Sequence, residues 1–151
     1  MRKIEFNSDT GYLIIGIHQM TIDELLKHPI LGKTAQRKSL IYSLKEACEV
    51  YWSYGIDEIY ANGSFATTKP IPNDIDGYIV LDTKSEKFIE LVESGNIWGQ
   101  FKGKNHEKDK SSMWYEHKIE FYIENQNLFH TFFTHSRNGI ERGIIKIIKS
   151  N

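Results

Sequence analysis

The sequence predicts a single α+β domain, a mixed β-sheet flanked by α-helices, and three observations carry that prediction. Residues 36–54 repeat apolar side chains at the three-and-four spacing of an amphipathic helix. Residues 74–82 and 117–123 read as strands rich in Ile, Tyr, Val and Phe. The 151 residues that hold them suffice for one core without disulfide or metal staples.

Taken in order, "TIDELLKH" (21–28) opens with Thr21 three residues before Glu24, the spacing of a capping box, and a short helix stops before Pro29. In "QRKSLIYSLKEACEVYWSY" (36–54), Leu40, Ile41, Leu44, Ala47, Cys48, Tyr51 and Trp52 form the apolar stripe, and Gly55 ends the helix. "IDEIYAN" (56–62) and "DIDGYIVLD" (74–82) are strands separated by Gly, Pro and Asn punctuation. The second reads as central, because its apolar run from Tyr78 to Leu81 is nearly continuous. "SEKFIELVES" (85–94) is a helix capped by Ser85, "HKIEFYI" (117–123) an alternating strand, "QNLFHTFFTH" (126–135) a helix and "RGIIKIIK" (142–149) a last strand. Between them, "KGKNHEKDKSS" (102–112) reads as a long solvated loop.

Composition narrows the function classes. Net charge is −1 and the 19 basic residues are scattered, so no chain-wide field draws the protein to nucleic acid or to an acidic membrane. The lone Cys48 excludes an intrachain disulfide framework, and its place in a helical apolar stripe suits a buried structural thiol. There is no leader segment and no apolar run of membrane-spanning length, so the cytoplasm is the expected compartment.

The densest chemistry lies in "ANGSFATTKPIPNDIDGYIV" (61–80). In an extended strand Asp74 and Asp76 point the same way with Cα atoms roughly 6.5–7 Å apart, while Ile75 points to the core. Two carboxylates that close repel, by about 4 kcal/mol at ~4 Å and an effective dielectric of ~20. Mg²⁺ or Mn²⁺ would offset this, since Mg²⁺ takes a few carboxylate oxygens and completes its shell with water and substrate phosphates. A two-ion site of this kind needs a third acid. Glu120 is the candidate, mid-strand between Ile119 and Phe121, with Glu116 and Glu124 as weaker alternatives near the strand ends. The competing reading has Glu120 facing water opposite a buried Ile119 and Phe121. Gly63 lets the backbone approach a phosphate closely, the Ser64 hydroxyl and turn amides donate to it, and Lys69 adds a cation. An isolated Gly-Ser is only a turn. A Gly-Ser followed at this distance by Asp-apolar-Asp, however, arises by chance in roughly a few chains per thousand.

Gly63-Ser64, nine intervening residues and then Asp74-Ile75-Asp76 resembles the signature of the DNA polymerase beta-like nucleotidyltransferase superfamily, which includes the minimal nucleotidyltransferases of bacteria. More narrowly, "GIHQMTIDEL", "NGSFATTKPIPNDIDGYIV" and "FFTHSRNGIERGIIKI" look like a small, functionally uncharacterised bacterial and phage family assigned to that superfamily. The resemblance covers nearly the whole chain. It implies a nucleotidyltransferase-like sheet, with Gly63 and Ser64 on the triphosphate and Asp74, Asp76 and Glu120 on metal. Two departures stand out: Glu120 replaces the usual Asp, and Thr67-Thr68-Lys69 stands where minimal enzymes of the antitoxin type often carry Arg-Gly. No helical domain follows to clasp a base or an acceptor.

Other groups give weaker signals. The histidines at 18, 28, 106, 117, 130 and 135 lack zinc-ligand spacing. Leu128, Phe129, Phe132 and Phe133 cluster as a core face would. Trp98 and Trp114 flank the polar loop, where packing is the stronger reading and covering a nucleotide base the alternative. The sequence thus points to a metal-dependent enzyme that moves a nucleoside monophosphate from an NTP to a hydroxyl of a protein, RNA or small molecule. The alternative is a catalytically weak binding module, such as the regulatory half of a toxin–antitoxin or phage-defence pair. A protein partner or a homodimer suits either.

Overall fold

The computed structural model describes residues 4–101, 110–124 and 141–150. Its sheet has five strands, β1 (Ile17–Met20), β2 (Ile59–Asn62), β3 (Ile75–Val80), β4 (Ile119–Glu124) and β5 (Ile144–Ile147), in the order β1-β5-β2-β3-β4. The pairs β1–β5 and β3–β4 are parallel, and β2 runs antiparallel to both β3 and β5. The mixed sheet read from the sequence is therefore present, with the aspartate strand β3 paired on both sides.

Parallel β3 and β4 need a crossover. The described part of that connection contains α3 (Glu86–Glu93), a 3-10 turn (Ile97–Gly99) and α4 (Ser112–His117). Ahead of β2 lie α1 (Ile22–Lys27) and α2 (Ala35–Ser53). The capping box of α1 is complete: Glu24 N–H donates to the Thr21 hydroxyl at 3.1 Å and Thr21 N–H to the Glu24 carboxylate at 3.0 Å. Ser85 caps α3 by accepting from Phe88 N–H at 3.3 Å.

The stripe of α2 packs on one face of the sheet, against Ile59 and Ala61 of β2, Ile75 and Ile79 of β3, Ile119 and Phe121 of β4, and Ile145 and Ile147 of β5. Alternation along the strands sends Tyr60, Tyr78, Tyr122 and Ile144 to the opposite face, where the Tyr60 and Tyr78 rings stack at 4.7 Å. Asn62, Asp76 and Glu120 share that second face by the same alternation. Cys48 is buried and burial pushes its thiol up, so it is an inert core residue.

Several boundaries differ from the sequence reading. Most of the expected loop 102–112 lies outside the described residues, but the strand expected from His117 starts later: α4 occupies Ser112–His117, with Met113 buried and Ser111 at the N-cap position. Lys118 then turns the chain with φ 59°, and β4 starts only at Ile119. β1 was not legible, since Met20 alone of its four residues is buried, apolar Ile17 is exposed and polar His18 is on the less exposed side. The expected helix at 126–135 and its aromatic cluster lie outside the described residues.

Candidate functional site

Asp74, Asp76 and Glu120 gather at one end of the sheet, whereas the weaker candidate Glu124 pairs opposite Val80 at the other end of β4 and Glu116 lies in α4. β2 and β3 run antiparallel with Asn62 opposite Asp76, and β3 and β4 run parallel with Asp76 opposite Glu120. Adjacent strands are ~4.8 Å apart. Asn62, Asp76 and Glu120 thus form a row across three strands, and Asp74 stands one residue before β3 rather than inside it.

Gly63 follows Asn62 with φ +77° and opens the 3-10 turn Gly63–Ala66. A Cβ there would sit 3.3 Å from Asp76 Oδ2 and 3.5 Å from Asp76 Cβ. The left-handed backbone favours glycine here, and a Cβ would also press on the Asp76 carboxylate. Ser64 lies half-buried in the same turn, and its carbonyl accepts from the Thr67 hydroxyl at 2.6 Å.

The three acids are held differently. Trp114 Nε1–H donates to Asp74 Oδ2 at 2.9 Å, so this ring grips a site carboxylate. Glu120 is fully buried, not water-facing: Oε1 accepts from Ser111 N–H at 3.2 Å and Oε2 from the Ser111 hydroxyl. Short helix α4 and its cap thereby hold two of the three candidates. Asp76 Oδ1 is buried and has no hydrogen-bond partner among the described residues. Burial first, then the charge of Asp74, pushes the Asp76 carboxyl up to about 6; Glu120 adds to this, and Lys110 and Arg142 oppose it. Burial, followed by the charges of Asp76, Glu120 and Asp74, raises Tyr122 to about 12.

Lys69 is exposed, and its backbone rather than its ammonium is anchored: its carbonyl accepts from Arg37 Nε at 3.2 Å. Arg37 was missed by the sequence reading. It is 1% exposed, donates to the carbonyls of Phe65 at 2.9 Å and Thr67 at 2.8 Å, and lies over the Phe65 ring. Burial lowers it to about 10. It fastens the loop after Gly63-Ser64 to α2, helped by a bond from Thr34 Oγ1 to the Pro70 carbonyl at 3.3 Å. Its sequence signal was position: Arg37 precedes Leu40, Ile41 and Leu44 at three, four and seven residues, which places it on the buried stripe. Ser111, Lys110 and Arg142 carried no comparable signal.

The family model "Family of unknown function (DUF6932)" matches residues 4–148. The chain belongs to DUF6932. No curated protein and no solved structure matches it significantly.

Whether this DUF6932 site suits a divalent cation depends on its donors. Among the described residues no group of three or more His, Cys, Asp or Glu side chains is arranged to hold a metal ion. Two aspartates are nevertheless a sufficient protein contribution for Mg²⁺, which relies on one or two carboxylates plus water and phosphate oxygens. The buried, unpartnered Oδ1 of Asp76 beside Asp74 fits that role. Trp98 is packed in the core, with Nε1–H donating to Glu46 at 3.1 Å. Among the described residues no helix is long and apolar enough to cross a membrane.

Proposed function

We propose that this DUF6932 protein is a metal-dependent nucleotidyltransferase of the DNA polymerase beta-like type, acting on an NTP and a hydroxyl acceptor. One observation carries it: the left-handed Gly63 lies against Oδ2 of Asp76, whose other oxygen, Oδ1, is buried without a partner among the described residues. A turn that can approach phosphate is thereby set beside a carboxylate that gains from a cation.

Asp74 and Asp76 would hold Mg²⁺ or Mn²⁺, which supplies charge neutralisation for the phosphates. The Gly63–Ser64 turn receives the triphosphate, with Lys69 further along the same loop. The acceptor oxygen bonds to the α-phosphorus as the bond to the pyrophosphate bridging oxygen breaks, its electron pair leaving with pyrophosphate. The hydroxyl proton passes to water at the site, because Glu120, the base expected from the sequence, is fully buried with both oxygens engaged by Ser111 and serves to hold α4 against the site. Positioning and charge stabilisation account for the rate.

The test is incubation with labelled NTPs, Mg²⁺ or Mn²⁺ and cell lysate. Label transfer is expected from the native chain, and transfer undiminished in Asp76→Asn would sink the assignment. A second reading is favoured by Ser111's grip on both Glu120 oxygens: a nucleotidyltransferase-like binding module with a weak or absent chemical step, working with a protein partner or as a homodimer in a toxin–antitoxin or phage-defence setting. Calorimetry separates the two, because tight partner binding with no NTP affinity belongs to the module alone.

A further inference from the structure

We infer that Arg142 is the side chain that grips the β- and γ-phosphates, which deepens the nucleotidyltransferase reading and rests on it. β5 and β2 run antiparallel, so Arg142, two residues before β5, arrives at the end of the sheet where Gly63 and Ser64 leave β2. Asp76 begins its strand at the same end. Lys69, by contrast, is exposed and anchored through its backbone carbonyl.

Its position is built rather than incidental. Gly143 N–H donates to the Leu13 carbonyl at 2.9 Å and Ile144 N–H to the Gly16 carbonyl at 3.0 Å. A Cβ at residue 143 would lie 2.1 Å from the Ile14 carbonyl oxygen, so only glycine lets the chain close on this segment and aim residue 142. The Arg142 guanidinium carbon is 5.7 Å from the Tyr12 ring centroid, and Tyr12 itself bridges to Thr67 in the loop that follows Ser64. The half-buried guanidinium therefore lies beside the residues that bridge to that loop, at the same end of the sheet as Asp76. A planar fork of donors pairs with two phosphate oxygens at once, which the ammonium of Lys69 does not do.

Calorimetry of the full chain with ATP, ADP and AMP in Ca²⁺, which supports binding while slowing transfer, tests this. The native chain is expected to bind ATP more tightly than AMP. Arg142→Gln should weaken ATP about ten-fold or more, the scale of one charge-assisted bidentate contact, and leave AMP unchanged. Arg142→Lys, which keeps the charge and guards against a folding defect, should fall between, and Lys45→Gln on the outer face of α2 should match the native chain. ATP affinity unaltered in Arg142→Gln, or an equal loss for AMP, overturns the assignment of Arg142 alone. A native chain that binds none of the three nucleotides overturns the underlying function as well.

Discussion

Asn in place of Asp76 should make the protein more stable at neutral pH while abolishing its metal response. The carboxyl sits at about 6 in the folded protein against an ordinary 3.8, because burial and Asp74 disfavour its charge. A group that holds its proton more tightly when folded favours folding while protonated. That contribution is complete below about pH 4 and is lost as pH rises through about 6. At pH 7.5 the ionised carboxylate is therefore a net cost. The gap between 3.8 and about 6 corresponds to about 3 kcal/mol at full burial. Screening at a side chain that keeps some solvent contact reduces this to about 1–2 kcal/mol. For a domain of this size, about 1 kcal/mol moves Tm by roughly 2–4 °C, so Asp76→Asn should melt several degrees above the native chain at pH 7.5. The gap should close at pH 4, where both side chains are neutral. Added Mg²⁺ or Mn²⁺ should raise the native Tm and leave the variant where it was. A variant that melts at or below the native temperature at pH 7.5, or a gap that persists at pH 4, would show that Asp76 is not a strained anion.

Other substitutions probe the surroundings of the same carboxylate. Gly63→Ala forces a Cβ into a left-handed backbone 3.3 Å from Asp76 Oδ2; a loss of about 1–2 kcal/mol is expected by denaturant titration, together with weaker NTP binding, and a neutral result would mean the turn relaxes freely. Arg37→Leu leaves the carbonyls of Phe65 and Thr67 without their donor, at about 3 kcal/mol or more, and hydrogen exchange at 65–70 should rise ahead of exchange in α2. Trp114→Phe removes the donor to Asp74 Oδ2 at 2.9 Å; metal titration should show affinity altered at least several-fold with little change in Tm, and identical titrations would make the indole a packing residue only.

How far the site could be read in advance depended on whether its cause was local. Thr21 and Glu24, three residues apart, close a capping box within one turn of helix, so spacing alone revealed it. The α2 stripe and the alternation in β3 and β4 are likewise periodicities of a single segment. β1 escaped because apolar Ile17 is exposed while polar His18 is on the less exposed side, and α4 because its buried contact is one residue, Met113, in a polar stretch. Arg37 was legible by position but hidden by type, since charge suggested solvent and the loop carbonyls that receive it are about thirty residues away.

The sequence by itself determined the α+β class, the core faces of α2, β3 and β4, and the pairing of a Gly-Ser turn with an Asp-apolar-Asp strand start. These follow from 3.6- and 2-residue periods and from backbone chemistry that acts over a few positions. Tertiary structure alone decided which charges meet. Strand register put Glu120 opposite Asp76, α4 turned Ser111 and Trp114 onto Glu120 and Asp74, and β5 brought Arg142 to the mouth of the Gly63 turn. The reason is physical: burial and neighbouring charge set the state of a carboxylate, and both are properties of the assembled sheet rather than of any one strand.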